Sequence, residues 1–190
     1  MVFTGIENGR LKVCKNSLGG ISKLWLFPYV KYNRSQIITQ SNILETFPTT
    51  TIYRFNFLGN PNPTNAQVEE DGGKCFNLGI TFDLQGSNDS YNIEKLLFKD
   101  YRFITQDRNG LYVIYGLFNG VECSSLTYNS GGGKQDLNGF NLSFEGKEEN
   151  GVYFIDNLEE AGFFDADFNY RITQDGKFRI TQNNNFRIIQ

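Results

Sequence analysis

The sequence predicts a mainly β protein, and three observations predict it. Eighteen Phe and ten Tyr stand against one Trp and one Met among 190 residues, a bias toward pleated surfaces, where rings pack well. Twenty glycines and frequent asparagines supply turns. Short alternating runs recur along the chain between those turn residues. At this length one domain with an appendage is expected, burying roughly 70% of the unfolded surface, so the core stands without staples.

Taken in order, Arg10–Cys14 alternates and reads as a short strand, broken by Gly19-Gly20. Ser22–Tyr32 (SKLWLFPYVKY) is strongly apolar with Pro28 inside it, which predicts an edge or bulged strand. Gln36–Thr39 is a further short strand, and Thr49–Leu58 (TTTIYRFNFL) alternates well. Gly59–Lys74 lacks periodicity, holds two prolines and carries the acidic run Glu69-Glu70-Asp71. It predicts a long loop, of the kind that tends to be functional. Cys75–Gln85 resumes as a strand. A helix is expected over Ser90–Lys99, capped by Asn88 or Asp89, with Ile93, Leu96 and Leu97 on one face.

Tyr101–Gln106 and Leu111–Leu117 flank Asp107-Arg108-Asn109-Gly110, a strong hairpin signal. Val121–Tyr128, Phe140–Glu145 and Tyr153–Ile155 follow as strands, and Asp156–Ala161 as one helical turn capped by Asp156. The C-terminus repeats every eight residues: Tyr170-Arg-Ile-Thr-Gln, Phe178-Arg-Ile-Thr-Gln, Phe186-Arg-Ile-Ile-Gln. Three-residue connectors predict a meander in which Ile172 pairs Ile180 and Arg171, Arg179 and Arg187 share a face. The division expected is a β domain over residues 1–163 and a repeat extension over 164–190.

Charge and chemistry exclude more than they include. The net charge is −3, without the basic balance that a duplex binder needs. Residues 170–190 carry four basic groups and one acid, leaving 14 basic and 20 acidic groups elsewhere. The tail is a cationic strip on an anionic body, suited to an acidic surface of its own or a neighbouring subunit. Histidine is absent, which removes Ser-His-Asp and Cys-His catalysis. Glu69/Glu70, Glu148/Glu149 and Glu159/Glu160 are sequence neighbours that point to opposite faces of a strand, so solvated charge is expected rather than an acid/base pair. Tyr101-Arg102-Phe103 is expected to turn its rings inward and Arg102 outward. Ser130-Gly-Gly-Gly-Lys134 is similar to a phosphate loop but has Tyr128 and Gln135 where Gly and Ser or Thr belong. Asp165-Ala-Asp167 lacks the rest of a calcium loop. Cys14, Cys75 and Cys123 form no CxxC pair and are expected as reduced, mostly buried thiols, which favours assembly in a cytosol. No leader, spanning segment, metal or cofactor is expected, and no enzyme.

The segment from Tyr101 to Gly120 (YRFITQDRNGLYVIYGLFNG), continuing through Ser130-Gly131 and Asp136–Gly146 (DLNGFNLSFEG), resembles the central hairpin region of bacteriophage tail tube proteins. Cys14–Leu26 (CKNSLGGISKLWL) resembles their opening, and the likeness spans roughly residues 10–160. It implies a tail-tube-like β-sandwich or partial barrel with one flanking α-helix. It also implies a structural subunit of the virion, built in the host bacterial cytoplasm into rings, commonly hexamers. Other tail proteins would adjoin it, and the phage genome would pass through without sequence-specific contact. Tube, hub and adaptor all fit. The interface candidates are Tyr170, Arg171, Phe178, Arg179, Phe186 and Arg187 on the repeat, with Glu69, Glu70 and Asp71 in the long loop. Exposed Tyr, Phe and Asn motivate the alternative, a receptor- or carbohydrate-binding module of a phage fibre.

Overall fold

The computed structural model describes residues 19–70, 73–86, 93–133 and 136–166, and the backbone of 170–172 and 178–180. Its strands are β1 (Ile21–Pro28), β2 (Ile38–Gln40), β3 (Ile43–Thr46), β4 (Thr50–Phe55), β5 (Leu58–Glu70), β6 (Gly73–Gln85) and β7 (Tyr101–Asp107). They continue as β8 (Tyr112–Tyr115), β9 (Glu122–Asn129), β10 (Gly139–Glu148), β11 (Tyr153–Ile155), β12 (Phe163–Asp165), β13 (Tyr170–Ile172) and β14 (Phe178–Ile180). A curled, partly open eight-stranded sheet runs β12-β4-β1-β7-β8-β11-β3-β2. A separate antiparallel sheet of four strands runs β5-β6-β10-β9.

Two cores follow from which faces are covered. Between the sheets lie Leu24, Leu26, Phe103 and Tyr115 from one side and Ile80, Phe82, Leu142 and Phe144 from the other. Inside the curl lie Trp25, Phe27, Ile52, Ile104, Ile114 and Phe163. Strands β1 and β7 therefore bury both faces, which is why Leu24–Phe27 of β1 reads as a continuous apolar run rather than an alternating one. Each large apolar side chain so buried contributes roughly 1.5–3 kcal/mol. Trp25 also brings a polar end inside, and its Nε1 donates to Asp165 Oδ2 at 2.7 Å.

Several expectations change on contact with tertiary structure. Strand β1 is central, paired with β4 and β7, and its register shifts between Ile21 and Lys23. Pro28 ends the strand instead of exposing it. The long loop over Gly59–Lys74 is a hairpin: β5 pairs with β6 from Asn62↔Thr81 to Glu70↔Gly73. Its prolines hid it, yet an edge strand tolerates proline, and β5 is an edge. Of the helix expected over Ser90–Lys99, the start lies outside the described residues; residues 93–94 are helical, and the C-terminal part is a 3-10 turn over Lys95–Phe98 rather than a further α-turn. Asn157, not Asp156, caps the 158–162 turn, its Oδ1 accepting from the Glu159 N–H at 3.1 Å.

The Asp107–Gly110 hairpin forms as expected, with Gly110 at φ +90 and Asp107 Oδ1 accepting the N–H groups of Asn109 and Leu111 at 2.8 Å. In the repeat, β13 and β14 pair antiparallel, but Ile172 faces Phe178 and Tyr170 faces Ile180. That differs from the predicted Ile172–Ile180 pairing by two residues, so even positions still meet even ones. The third repeat and the Arg10–Cys14 strand lie outside the described residues.

Candidate assembly surface

The four-stranded sheet buries one face and presents the other to water. Strand β6 alternates accordingly: Leu78, Ile80, Phe82 and Leu84 are buried, while Asn77, Gly79, Thr81 and Asp83 take the opposite face. Strand β10 matches it, placing Asn141 opposite Asp83, Ser143 opposite Thr81 and Glu145 opposite Gly79. These cross-strand partners bond each other. Asn141 Nδ2 donates to Asp83 Oδ1 at 2.6 Å, and the Thr81 and Ser143 hydroxyls lie 3.0 Å apart. The result is a flat ladder of short polar side chains without an aromatic ring.

Carboxylates stud that ladder. Glu145 and Glu122 are direct cross-strand partners, a like-charge pairing that costs stability. At this end of the sheet a groove of about 510 Å³ is lined by Thr64, Asn77, Asp100, Glu122, Glu145 and Lys147. Gly79 keeps its floor clear of a side chain, and a Cβ there would lie 3.0 Å from Thr64 Oγ1 and 3.1 Å from the Phe144 carbonyl. The groove is open, and Asp100, Glu122 and Glu145 against Lys147 make it acidic.

The sheet ends in two exposed strands, β5 and β9. The β5–β6 hairpin outruns its neighbour, since β10 pairs with β6 only as far as Phe76. Beyond that point stand Glu69, bridged to Lys74 at 3.7 Å on a well-exposed surface, and Glu70 opposite Gly73. Asp71 lies outside the described residues. Beside β9 packs the Lys95–Phe98 turn, which leaves Phe98 81% exposed.

Of the other sequence-predicted site residues, Tyr170 and Arg171 sit on β13, and Phe178 and Arg179 on β14, with Arg171 opposite Arg179. Phe186 and Arg187 lie outside the described residues. The β13–β14 pair forms a sheet of its own, so among the described residues no strand pairing joins these positions to Glu69 and Glu70.

Two charged side chains expected at the surface are buried instead. Arg102 is 1% exposed and Glu148 3%. Both serve the connection between β8 and β9. Arg102 Nε donates to the Leu117 carbonyl and Nη2 to the Val30 carbonyl, each at 3.0 Å, while its guanidinium lies 4.3 Å from the centre of the Tyr29 ring. Glu148 Oε1 accepts from the N–H groups of Phe118 and Asn119 at 2.8 and 2.9 Å. Burial lowers the Arg102 pKa to about 10 despite Tyr29, Tyr32 and Glu148 nearby. Burial likewise pushes the Glu148 carboxyl up, against the two backbone donors and Arg102. Alternation gave no warning of this, because backbone carbonyls and aromatic rings replace water around Arg102, and backbone N–H groups replace it around Glu148.

The Gly131–Gly133 turn does not present free N–H groups to an anion, because Asp136 Oδ2 accepts those of Gly132 and Gly133 at 2.9 and 2.7 Å. No group of three or more metal-ligating side chains occurs among the described residues. Cys75 and Cys123 are free thiols, half-buried rather than fully so, and Cys14 lies outside the described residues. No described helix is long and apolar enough to cross a membrane. Comparison with protein-family models, with curated proteins and with solved structures finds no match for this chain.

Proposed function

We propose that the chain is a structural subunit of a bacteriophage tail, as tube, hub or adaptor, which assembles with its own copies into rings around a DNA channel. One observation carries the reading: the water-facing side of the β5-β6-β10-β9 sheet combines short polar groups with the carboxylates Asp83, Glu122 and Glu145. A channel wall of that kind repels the phosphate backbone. It also lacks the aromatic platforms on which bases stack, so a genome slides past without being held.

Ring closure follows from the edges. A head-to-tail contact between β5 of one copy and β9 of the next continues the sheet and closes when the rotation allows. Pro61 and Pro63 carry no N–H, which restricts donation along β5 to the part toward Glu70. The exposed Phe98 beside β9 is then covered by the incoming strand. Other tail proteins are expected to meet the β5–β6 hairpin tip and the cationic repeat.

Negative-stain images and native mass measurement of the purified chain test this. Rings of fixed copy number, six being the family's usual number, are the expected result. A monodisperse monomer at high concentration, with no strand added in any assembly, counts decisively against it.

A further inference from the structure

Asn-Gly steps occur at Asn8, Asn109, Asn119, Asn138 and Asn150. The last four lie among the described residues, and all four asparagines are exposed. An Asn-Gly step carries its own reaction partner. The glycine nitrogen can reach the asparagine Cγ because no side chain on the glycine obstructs it. The reaction needs the two atoms to approach freely, so a glycine N–H held in a hydrogen bond is a silenced nucleophile.

The fold silences three of the four. The Gly110 N–H donates to the Asp107 carbonyl at 3.2 Å, and Asn109 Nδ2 donates to Asp107 Oδ2 at 2.9 Å. The Gly120 N–H donates to the Gly116 carbonyl at 3.1 Å, and Asn119 Nδ2 to the Lys147 carbonyl at 2.9 Å. Gly139 is held in β10 between Gln85 and Asn129, and the Asn138 carbonyl accepts the Gly86 N–H at 2.8 Å. Gly151 differs. It lies in the connection between β10 and β11, and its N–H has no hydrogen-bond acceptor among the described residues. The Asn150 side chain bonds that of Tyr153, three residues on, so its tether is local.

We propose that Asn150-Gly151 is a site of spontaneous deamidation in the folded chain. The Gly151 nitrogen, its proton removed by solvent base, forms a bond to Asn150 Cγ. The Cγ–Nδ2 bond breaks, and Nδ2 leaves as ammonia with a proton taken from water. Water then opens the cyclic imide. Hydrolysis of the new bond gives aspartate, and hydrolysis of the original peptide bond gives β-linked isoaspartate. Either product adds a negative charge beside Glu149, which pairs with Arg34 at 3.1 Å. Isoaspartate also lengthens the main chain next to Gly151, where a Cβ would lie 3.2 Å from Asn65 Nδ2 on β5. The proposal stands apart from ring assembly, because a lone subunit carries the same step.

Peptide mapping by mass spectrometry tests it on the full chain held at mildly alkaline pH. Asn150 is expected to convert to aspartate and isoaspartate about tenfold faster than Asn109, Asn119 or Asn138, whose glycines must first be released by local opening. The rate should rise with pH. In concentrated urea the four rates should converge, which shows that the fold and not the dipeptide makes the selection. Gly151→Ala should slow conversion at Asn150. Conversion at Asn109, Asn119 or Asn138 as fast as at Asn150, conversion of Asn150 only after unfolding, or an unchanged rate in Gly151→Ala overturns the proposal.

Discussion

The two sheets bury their strands differently, and the difference separates stability from surface. In the eight-stranded sheet, β1 and β7 are covered on both faces, so Trp25 and Phe27 serve one core while Leu24 and Leu26 serve the other. In the four-stranded sheet, β6 and β10 are covered on one face only, and the second face is left to Asn, Ser, Thr and carboxylates. A strand with two dry faces has no side chain to spare for a partner. A strand with one wet face has every second residue available.

The largest effect should therefore come from the doubly buried strands. Phe103 has no exposed surface and stacks on Tyr115 with ring centroids 4.4 Å apart. Phe103→Ala is expected to cost about 3–5 kcal/mol in denaturant unfolding. Thr81→Ala, on the wet face of β6, should stay within about 0.5 kcal/mol. Equal losses at the two positions would break the comparison.

Next in size come the buried charges of β7 and β10. Arg102→Met leaves Glu148 buried without its compensating cation and should destabilise by roughly 3 kcal/mol. Glu148→Gln retains an acceptor for the N–H groups of Phe118 and Asn119 and should cost far less. The pH dependence has a definite sign. Burial raises the Glu148 pKa above its ordinary 4.5, so the folded state holds that proton more tightly than the unfolded chain. Its contribution to stability is full below 4.5 and is lost as pH rises through the raised folded value. Asp107 runs the other way: hydrogen bonds from Asn109 and from the N–H groups of Leu111, Asn109 and Gly110 outweigh burial and lower its pKa from 3.8. Its contribution is present above 3.8 and is lost as pH falls through the depressed value. Unfolding curves from pH 3 to 7 check both, since Glu148→Gln should remove the first slope and Asp107→Asn the second.

The same contrast explains what could be read in the sequence. The Asp107–Gly110 hairpin was legible because its signal is local: a carboxylate that accepts two backbone N–H groups and a glycine at positive φ. Strands β6 and β10 were legible from alternation, and the wet-face acids Asp83 and Glu145 could have been picked out from that period. The β5 hairpin was not, because Pro61 and Pro63 signal a loop unless the strand is known to be an edge, and edges are set by the tertiary fold. Arg102 and Glu148 were misplaced for a related reason. Their partners are the carbonyls of Leu117 and Val30 and the N–H groups of Phe118 and Asn119, none of which a local pattern locates.

The smallest effect sharpens the functional side of the comparison. Glu122 and Glu145 oppose each other across β9 and β10, and both are exposed. An isolated fold would be better off without that repulsion. Glu122→Gln is thus expected to stabilise the chain by about 0.2–1 kcal/mol, less at high salt because exposed charges are screened. A channel subunit would keep the pair at that cost, since the acids act on the passing phosphates and not on the fold. The Gln variant should then unfold later and still form rings, while Glu145→Lys should also fold but retain duplex DNA in a salt-dependent way. A destabilised Glu122→Gln chain would show that the two carboxylates are held apart by contacts within the subunit, and the sheet's wet face would lose its claim to be a surface kept for something outside it.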